Sequence, residues 1–159
     1  MDEHEHLAGD RPVSDRPGSD RPVLEAAERQ ARRFGKTRGA QAAALLEDYA
    51  ELIDDLHAAA GEARPTDIAR RLGVSHATAI KAIARLKREG LATARPYRGV
   101  FLTETGRALA ERVRARHQLV VALLRAVGVP GDAAEQDAEG MEHHVSEATL
   151  AAFARFLNL

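Results

Sequence analysis

The chain has 159 residues, contains no cysteine and no tryptophan, and carries a formal net charge of −1. The lack of cysteine excludes disulfides and thiolate zinc sites, and the scarcity of aromatic residues predicts a core of Leu, Val, Ile and Ala, as in mainly helical proteins. No stretch reaches the ~18 apolar residues of a membrane span, and residues 1–5 are acidic rather than an apolar signal region, so we expect a cytoplasmic protein without a membrane contact.

Charged residues are divided unevenly along the chain. Residues 45–63 contain six acidic residues and no Lys or Arg, whereas residues 64–98 contain nine basic residues and two acidic ones. Residues 103–159 contain eight acids and six bases. A basic block between two acidic ones is the pattern expected when a DNA-binding segment is joined to a cation-binding one.

The N-terminal segment repeats Asp-Arg-Pro three times between residues 10 and 22. These units, with glycine and serine between them, offer no apolar face that a fold could bury. We therefore predict that residues 1–40 form a disordered, charge-balanced tail.

Ordered structure is predicted from Gln41, where a first amphipathic helix begins; its apolar residues at helical spacing are Leu45, Tyr49, Leu52 and Leu56. The helix is expected to end near Gly61.

Two short helices follow. Thr66 is predicted to cap the first, which ends at Gly73, and Ser75 to cap the second, which runs to about Glu89. Two short helices joined by a tight Gly-Val-Ser turn are typical of a helix-turn-helix.

A two-stranded hairpin is predicted between Leu91 and Leu102, turning at Tyr97-Arg98-Gly99, because Gly99 tolerates the positive φ of a tight turn. Residues 41–102 are therefore predicted to form a winged helix-turn-helix DNA-binding domain.

The remainder, residues 103–159, is predicted to be helical. Thr103 caps a long helix to about Val127, Pro130 opens a second helix to about His143, and Ser146 caps the last. The fold class is thus mainly α with one small β-hairpin.

The second helix of the helix-turn-helix is expected to lie in the major groove of DNA. Ala79, Ile83 and Leu86, helped by Ile80, are predicted to form its inner stripe. The residues predicted to contact DNA are His76, Ala77, Thr78, Lys81 and Arg85 on the helix and Arg98 at the wing tip. The alternative is a basic helix that is merely solvated. The helix cap, the turn, the apolar inner stripe and the wing follow one another in the order of a winged helix-turn-helix, and this favours DNA binding.

Metal-ligand residue types occur at three places. Glu139, Glu142 and His143 share one face if they are helical, Asp48 and Glu51 lie three apart on the first helix, and His117 interrupts an apolar stripe. Each place also has an ordinary explanation: the paired acids can be a solvated helix face, and His117 can be a hydrogen-bonded histidine of the core. If the three places converge, their four carboxylates and two imidazoles suit two divalent cations, and the absence of sulfur favours Mn²⁺ or Fe²⁺.

From about Leu45 the chain resembles the manganese transport regulator branch of the diphtheria-toxin-repressor family. The segments that carry the resemblance are Glu47-Asp48-Tyr49-Ala50-Glu51, Asp67-Ile68-Ala69, Tyr97-Arg98-Gly99, Arg116-His117 and Glu139-Gly140-Met141-Glu142-His143-His144-Val145-Ser146. The resemblance implies that residues 103–159 form a metal-binding and dimerisation domain. It also implies a homodimer with a binuclear manganese site in each subunit, and the six residues named above are the ligands it implies for that site. It also favours manganese over iron, since iron-sensing relatives carry Met in place of Asp48 and Cys in place of Glu139.

The function that follows is that of a Mn(II)-dependent, DNA-binding repressor of manganese uptake genes, which binds a palindromic double-stranded operator as a homodimer. It is not expected to be an enzyme or to bind a small organic substrate. A repressor that responds to both Fe(II) and Mn(II), and a metal-independent winged-helix repressor, remain open. A two-metal hydrolase is disfavoured, because protein ligands would saturate both metals and no Gly-rich phosphate loop accompanies them.

Overall fold

The computed structural model of the chain describes residues 26–95 and 99–159. Its elements in chain order are α1 (Ala27–Ala60), α2 (Pro65–Arg71), α3 (His76–Arg88), β1 (Ala92–Arg95), β2 (Gly99–Leu102), α4 (Glu104–Ala126), α5 (Gly131–Met141), a 3-10 turn (Glu142–His144) and α6 (Glu147–Phe156). The prediction of a mainly helical fold with one hairpin is confirmed. Across these residues no helix combines the length and hydropathy of a bilayer span.

Helix α1 begins at Ala27, well before the predicted start at Gln41. The prediction of disorder is therefore wrong for residues 27–40, whereas residues 1–25 of the predicted tail lie outside the described residues. The Asp-Arg-Pro repeats end at residue 22, and the segment after them is rich in Ala and Arg, which favour helix. Adding turns to a helix whose later part is packed requires no new nucleation, so these residues extend it.

Two helix starts test the predicted caps of the helix-turn-helix. Ser75 caps α3 as predicted, because its hydroxyl accepts a hydrogen bond from the backbone N–H of Thr78 at 3.1 Å. Thr66 does not cap α2, which instead begins at Pro65 with Arg64 as the capping residue. Proline suits the first helical position because its φ is already helical and no N–H is left without an acceptor.

The wing is an antiparallel pair in which Ala92 faces Leu102 and Arg95 faces Gly99. This confirms the predicted hairpin, although the turn itself, residues 96–98, lies outside the described residues. Gly99 has a φ of 80°, and a Cβ at this position would lie 2.6 Å from the Ala63 carbonyl oxygen. Glycine is thus required both by the turn and by the close approach of β2 to the segment after α1.

The buried apolar residues form two separate clusters. The larger cluster joins α1, the helix-turn-helix and the wing, with Tyr49, Ile53, Ile68 and Leu86 among its fully buried members. The smaller cluster lies between α4, α5 and α6; its buried residues are Val120, Val121, Ala138 and Leu150. On α3 the inner stripe consists of Ala79, Ala82, Ile83 and Leu86, whereas Ile80, predicted to help form it, is largely exposed.

Candidate metal centre

The predicted ligands come from three parts of the fold that meet between the two apolar clusters: α1, α4 and the region where α5 ends. Helix α5 stops at Met141, so Glu142 and His143 lie on the 3-10 turn rather than on one helical face with Glu139. The prediction of a shared helical face is wrong in this respect. The tighter turn directs Glu142 inward, where 1% of the residue is exposed, while the Glu139 side chain remains 72% exposed.

Glu142 is the centre of the site. One of its carboxylate oxygens lies 2.6 Å from Nδ1 of His117 on α4, and the other lies 3.4 Å from Nε2 of His143. Burial raises the pKa of Glu142 above its usual value, and contact with His117 only partly offsets this. A carboxylate that is removed from water and faces two imidazoles is destabilised as an anion unless a positive charge accompanies it.

His143 links the 3-10 turn to α1. Its Nε2 lies 2.9 Å from Oδ1 of Asp48, and its Nδ1 lies 2.6 Å from Oε2 of Glu47. These hydrogen bonds to Asp48 and Glu47 raise the pKa of His143 to about 10. As a consequence, a divalent cation binding at Nε2 must displace a proton there.

Glu47 was not singled out as a site residue in the sequence analysis. Its carboxylate accepts a hydrogen bond from the Arg116 guanidinium as well as contacting His143, and these partners hold its pKa below the usual value. Glu47 and Arg116 directly precede the predicted ligands Asp48 and His117 in the chain. That adjacency and the presence of both residues in the segments that carry the family resemblance were the available signals, and neither reveals which way either side chain points.

His117 lies between Glu142 and the α5 carboxylates. Its Nε2 is 3.1 Å from Oε2 of Glu135, and its Nδ1 is 3.9 Å from Oε1 of Glu139. Burial alone would lower the pKa of His117, but the hydrogen bonds to Glu135 and Glu142 outweigh it and raise the pKa. Glu135 was also missed, because it lies one turn before Glu139 on a stretch that is acidic throughout.

Glu51 occupies the edge of the site. Burial raises its pKa, and the negative charges of Asp55 and Glu139 act in the same direction, whereas Arg114 opposes them. Arg114 on α4 also bonds Asp54 at 3.2 Å and Asp55 at 2.8 Å, so an ion-pair group fastens α1 to α4 beside the site. Five of the six predicted ligands are thus connected through ion-pair distances, and Glu51 adjoins them through its electrostatic interaction with Glu139 and His117.

The donor groups fit a hard divalent cation even though they are not yet arranged around one. Within residues 26–95 and 99–159 no group of three or more His, Asp or Glu side chains has the geometry to hold a metal ion. The reason is visible in the contacts, because imidazole nitrogens and carboxylate oxygens bond to each other. The set itself offers carboxylates and imidazoles without sulfur, and it includes a buried carboxylate that requires a positive partner.

The outer face of α3 is the second candidate site. His76, Ala77, Thr78 and Lys81 are exposed there, as is expected of residues that contact DNA, and two cations that were not predicted, Lys87 and Arg88, are exposed as well. Arg85 is placed differently: it bonds Glu89 at 2.8 Å and the Ala42 carbonyl of α1 at 3.0 Å. Arg98, the sixth predicted DNA contact, lies outside the described residues.

A groove between α3 and the wing widens this basic face. Arg64, Lys87 and Arg95 line it together with the exposed Ile80. Arg64 and Arg95 were not among the predicted DNA contacts, since their position beside α3 depends on how the wing packs.

Two family models together match most of the chain. Residues 43–100 match the model described as "Iron dependent repressor, N-terminal DNA binding domain", and residues 103–159 match "Iron dependent repressor, metal binding and dimerisation domain".

Curated relatives of this chain are also transcriptional regulators by name. The "Transcriptional regulator MntR" of Escherichia coli O6:H1 is 50% identical over 129 residues, which cover 81% of this chain and 83% of the relative. The "HTH-type transcriptional regulator MntR" of Lysinibacillus sphaericus is 39% identical over 101 residues, which cover 64% of this chain and 73% of the relative.

Solved structures agree in fold. The structure of the manganese regulator SloR superimposes with a TM-score of 0.63 at 28% identity, covering 71% of this chain and 53% of that one. The structure titled "Manganese-dependent transcriptional repressor complex with manganese" gives a TM-score of 0.59 at 31% identity, covering 70% of this chain and 51% of that one. This chain therefore spans about half the length of these two structures. It belongs to the iron-dependent, or diphtheria-toxin, repressor family of transcriptional regulators, in its manganese transport regulator branch.

Proposed function

We propose that this chain is a Mn²⁺-dependent transcriptional repressor that binds a palindromic operator as a homodimer and represses manganese uptake genes. The observation that carries the proposal is Glu142, a buried carboxylate that contacts one imidazole on α4 and another that is bonded to α1. A cation bound there would be shared by elements of both halves of the chain.

Each predicted ligand has a role in this proposal. Asp48 and Glu51 contribute the carboxylates of α1, His117 contributes the imidazole of α4, and the remaining three are Glu139, Glu142 and His143. Their four negative charges would be balanced by two Mn²⁺ ions in each subunit, which supply positive charge to carboxylates that otherwise repel one another. Glu47 would orient His143, because its contact at Nδ1 leaves Nε2 directed toward Asp48.

The proposed switch acts through α1, which packs against α3 and the wing at the same time as it carries Asp48 and Glu51. When α1 is fastened to α4 and the 3-10 turn, the DNA-binding half takes one orientation relative to the dimerisation helices. In a dimer this sets the separation of the two α3 helices, which must match half-sites one helical turn or a multiple apart. Metal and DNA then favour the same arrangement, so each strengthens binding of the other.

Fe²⁺ is the second candidate activator, because the matching family models describe iron-dependent repressors. Fe²⁺ accepts the same oxygen and imidazole donors and lies next to Mn²⁺ in the divalent affinity order. Discrimination between the two ions would therefore depend on coordination geometry rather than on the types of ligand.

The decisive experiment measures operator affinity by gel shift in chelator, in Mn²⁺ and in anaerobic Fe²⁺, with an operator selected by the metal-loaded chain from random duplexes. We expect Mn²⁺ to raise the affinity by 10-fold or more, which corresponds to a coupling free energy of roughly 1–3 kcal/mol. The variant His143→Ala should lose this response because it removes the imidazole that bonds α1 to the 3-10 turn.

The matched control is His144→Ala, which removes an exposed imidazole from the next position. It should keep the response to Mn²⁺. Equal operator affinity in chelator and in Mn²⁺ would contradict the proposal and favour the metal-independent repressor, whereas a larger response to Fe²⁺ would favour the iron-responsive alternative.

A further inference from the structure

The first third of α1 is strongly basic, unlike the rest of that helix. Residues 27–40, which we call the basic arm, contain five basic residues and one acidic one; the basic residues are Arg29, Arg32, Arg33, Lys36 and Arg38. Residues 45–63, by contrast, contain six acids and neither Lys nor Arg. One continuous helix thus carries positive charge over residues 27–40 and, further along, the carboxylates Asp48 and Glu51 of the candidate metal centre.

The arrangement of charge on the arm is that of a binding face. Arg29, Arg32 and Arg33 have the spacing i, i+3, i+4, which places them on one side of the helix, and all three are exposed. The arm buries no residue of the apolar clusters, and Phe34 is half-exposed. Packing therefore does not explain why this segment is so basic.

The C-terminal end of the basic arm lies near α3, the helix predicted to enter the major groove. The guanidinium of Arg85 on α3 donates a hydrogen bond to the carbonyl of Ala42 on α1 at 3.0 Å, so the two helices are in contact just after the arm ends. From Ala42 to Arg29 the helix extends roughly 20 Å, more than half the length of one DNA turn of about 34 Å. The basic arm is therefore long enough to reach the backbone of a duplex that is bound to α3.

We propose that the basic arm is a second DNA-binding surface, which contacts the phosphate backbone beside the groove occupied by α3. Phosphates are the partner because closely spaced arginines on an exposed helix face neutralise a line of negative charge without reading bases. The inference rests on the proposed function in that the same duplex occupies both surfaces. Since Asp48 and Glu51 lie on the same helix, whatever fastens them to α4 also fixes the direction of the arm.

The test compares the metal-loaded full chain with the double variant Arg29→Gln/Arg32→Gln on two duplexes of about 30 base pairs, long enough for two half-sites. One duplex is the selected operator and the other has an unrelated mixed sequence. Affinity is measured over a series of salt concentrations, because each lost phosphate contact lowers the slope of log affinity against log salt by about 0.9.

We expect the double variant to bind both duplexes less tightly by the same factor, on the order of tenfold or more at about 0.1 M salt. The salt slope should be smaller by about 3.6, because a homodimer loses two arginines from each subunit. The control is Arg125→Gln/Arg155→Gln, which removes the same charge from exposed positions on α4 and α6. The control should keep both the affinity and the slope, and circular dichroism should show equal helix content in all three proteins.

Wild-type affinity and slope in the arm variant would overturn the proposal and assign the arm to a partner other than DNA. Equal losses in the arm variant and in the control would overturn it as well, because net charge alone would then explain the effect. A different result contradicts the proposed function: the wild-type chain would bind the operator with the same affinity in chelator and in Mn²⁺. In that case a lower slope of the arm variant on the mixed-sequence duplex would still support the arm.

Discussion

The two halves of the molecule are held together by different forces. The DNA-binding half has a continuous apolar core that runs from Leu46 on α1 to Ala110 on α4. The C-terminal half has a smaller apolar cluster with four buried residues, and beyond Ala110 its contacts with α1 include the polar groups Glu47, Arg116 and His143. The larger core needs no ligand to be stable, whereas the polar contact depends on charge.

This difference indicates where the proposed switch would act. Apolar packing does not respond to a cation, so a metal cannot easily rearrange the DNA-binding half. Hydrogen bonds between carboxylates and imidazoles do respond, because a divalent cation competes for the same lone pairs. The polar contacts between α1 and the C-terminal half, which we call the polar boundary, are therefore the part of the molecule that a metal can alter without unfolding either half.

The largest expected effect is on the stable half. Leu86→Ala removes a fully buried side chain from the large core and should lower the free energy of unfolding by about 2–5 kcal/mol. Leu150→Ala, in the small core between α4, α5 and α6, should cost less, near the lower end of that range, because the site is partly open and can relax. Denaturant titration in chelator measures both, and a larger cost for Leu150→Ala would reverse the comparison.

The next effect concerns Glu142, the buried carboxylate at the polar boundary. Glu142→Gln keeps the shape of the side chain but removes its charge, so affinity for Mn²⁺ should fall by about 100-fold or more, beyond what loss of an orienting residue costs. In chelator the melting temperature should fall little or rise, since an anion is no longer buried. Calorimetry and thermal denaturation give the two values, and unchanged Mn²⁺ affinity would remove Glu142 from the metal site.

A smaller effect is expected at Glu47, which contacts Nδ1 of His143 and Arg116. Glu47→Gln should weaken Mn²⁺ binding by about 10-fold, the lower end of the range for residues that orient a metal ligand. Glu62→Gln, at a partly exposed acid that pairs with Arg64 outside the site, is the matched control and should leave Mn²⁺ affinity unchanged. An effect as large as that of Glu142→Gln would instead indicate that Glu47 binds the cation directly.

The smallest effect concerns the contact between α1 and the wing. The His57 ring donates a hydrogen bond from Nε2 to the Val100 carbonyl at 2.6 Å and packs against Phe101 with ring centres 4.8 Å apart. His57→Leu keeps an apolar contact but loses the hydrogen bond, which should cost about 1 kcal/mol and weaken DNA binding a few-fold through the wing. Affinity for Mn²⁺ should not change, and a change in it would show that the two halves are not as separate as their cores suggest.

Much of the fold was predictable because its signals are local. The hydroxyls of Ser75, Thr103 and Ser146 accept hydrogen bonds from the backbone three residues later, so a short stretch of sequence suffices to place each helix start. The start of α1 was mispredicted because the segment between the proline repeats and Gln41 provides no side-chain cap and no apolar stripe.

The metal centre was predictable in composition but not in geometry. Spacing identified Glu139, Glu142 and His143, yet the change from α-helix to 3-10 turn at Met141 decides that Glu142 is buried while Glu139 is exposed. Likewise, the exposed face of α3 followed from its periodicity, but the attachment of Arg85 to Ala42 depends on α1, 43 positions away in the chain.

The sequence by itself determined the elements, their order, the positions of the charged blocks and the six side chains suited to a hard cation, because these depend on neighbours within a turn or two. Only the tertiary structure decided that Glu142 lies between His117 and His143, that Glu47 and Arg116 join them, and that α1 contacts α3 at Ala42, just beyond the basic arm. Those contacts join residues distant in sequence, and which way each side chain points is set by the packing of helices against one another, for which no local pattern carries the information.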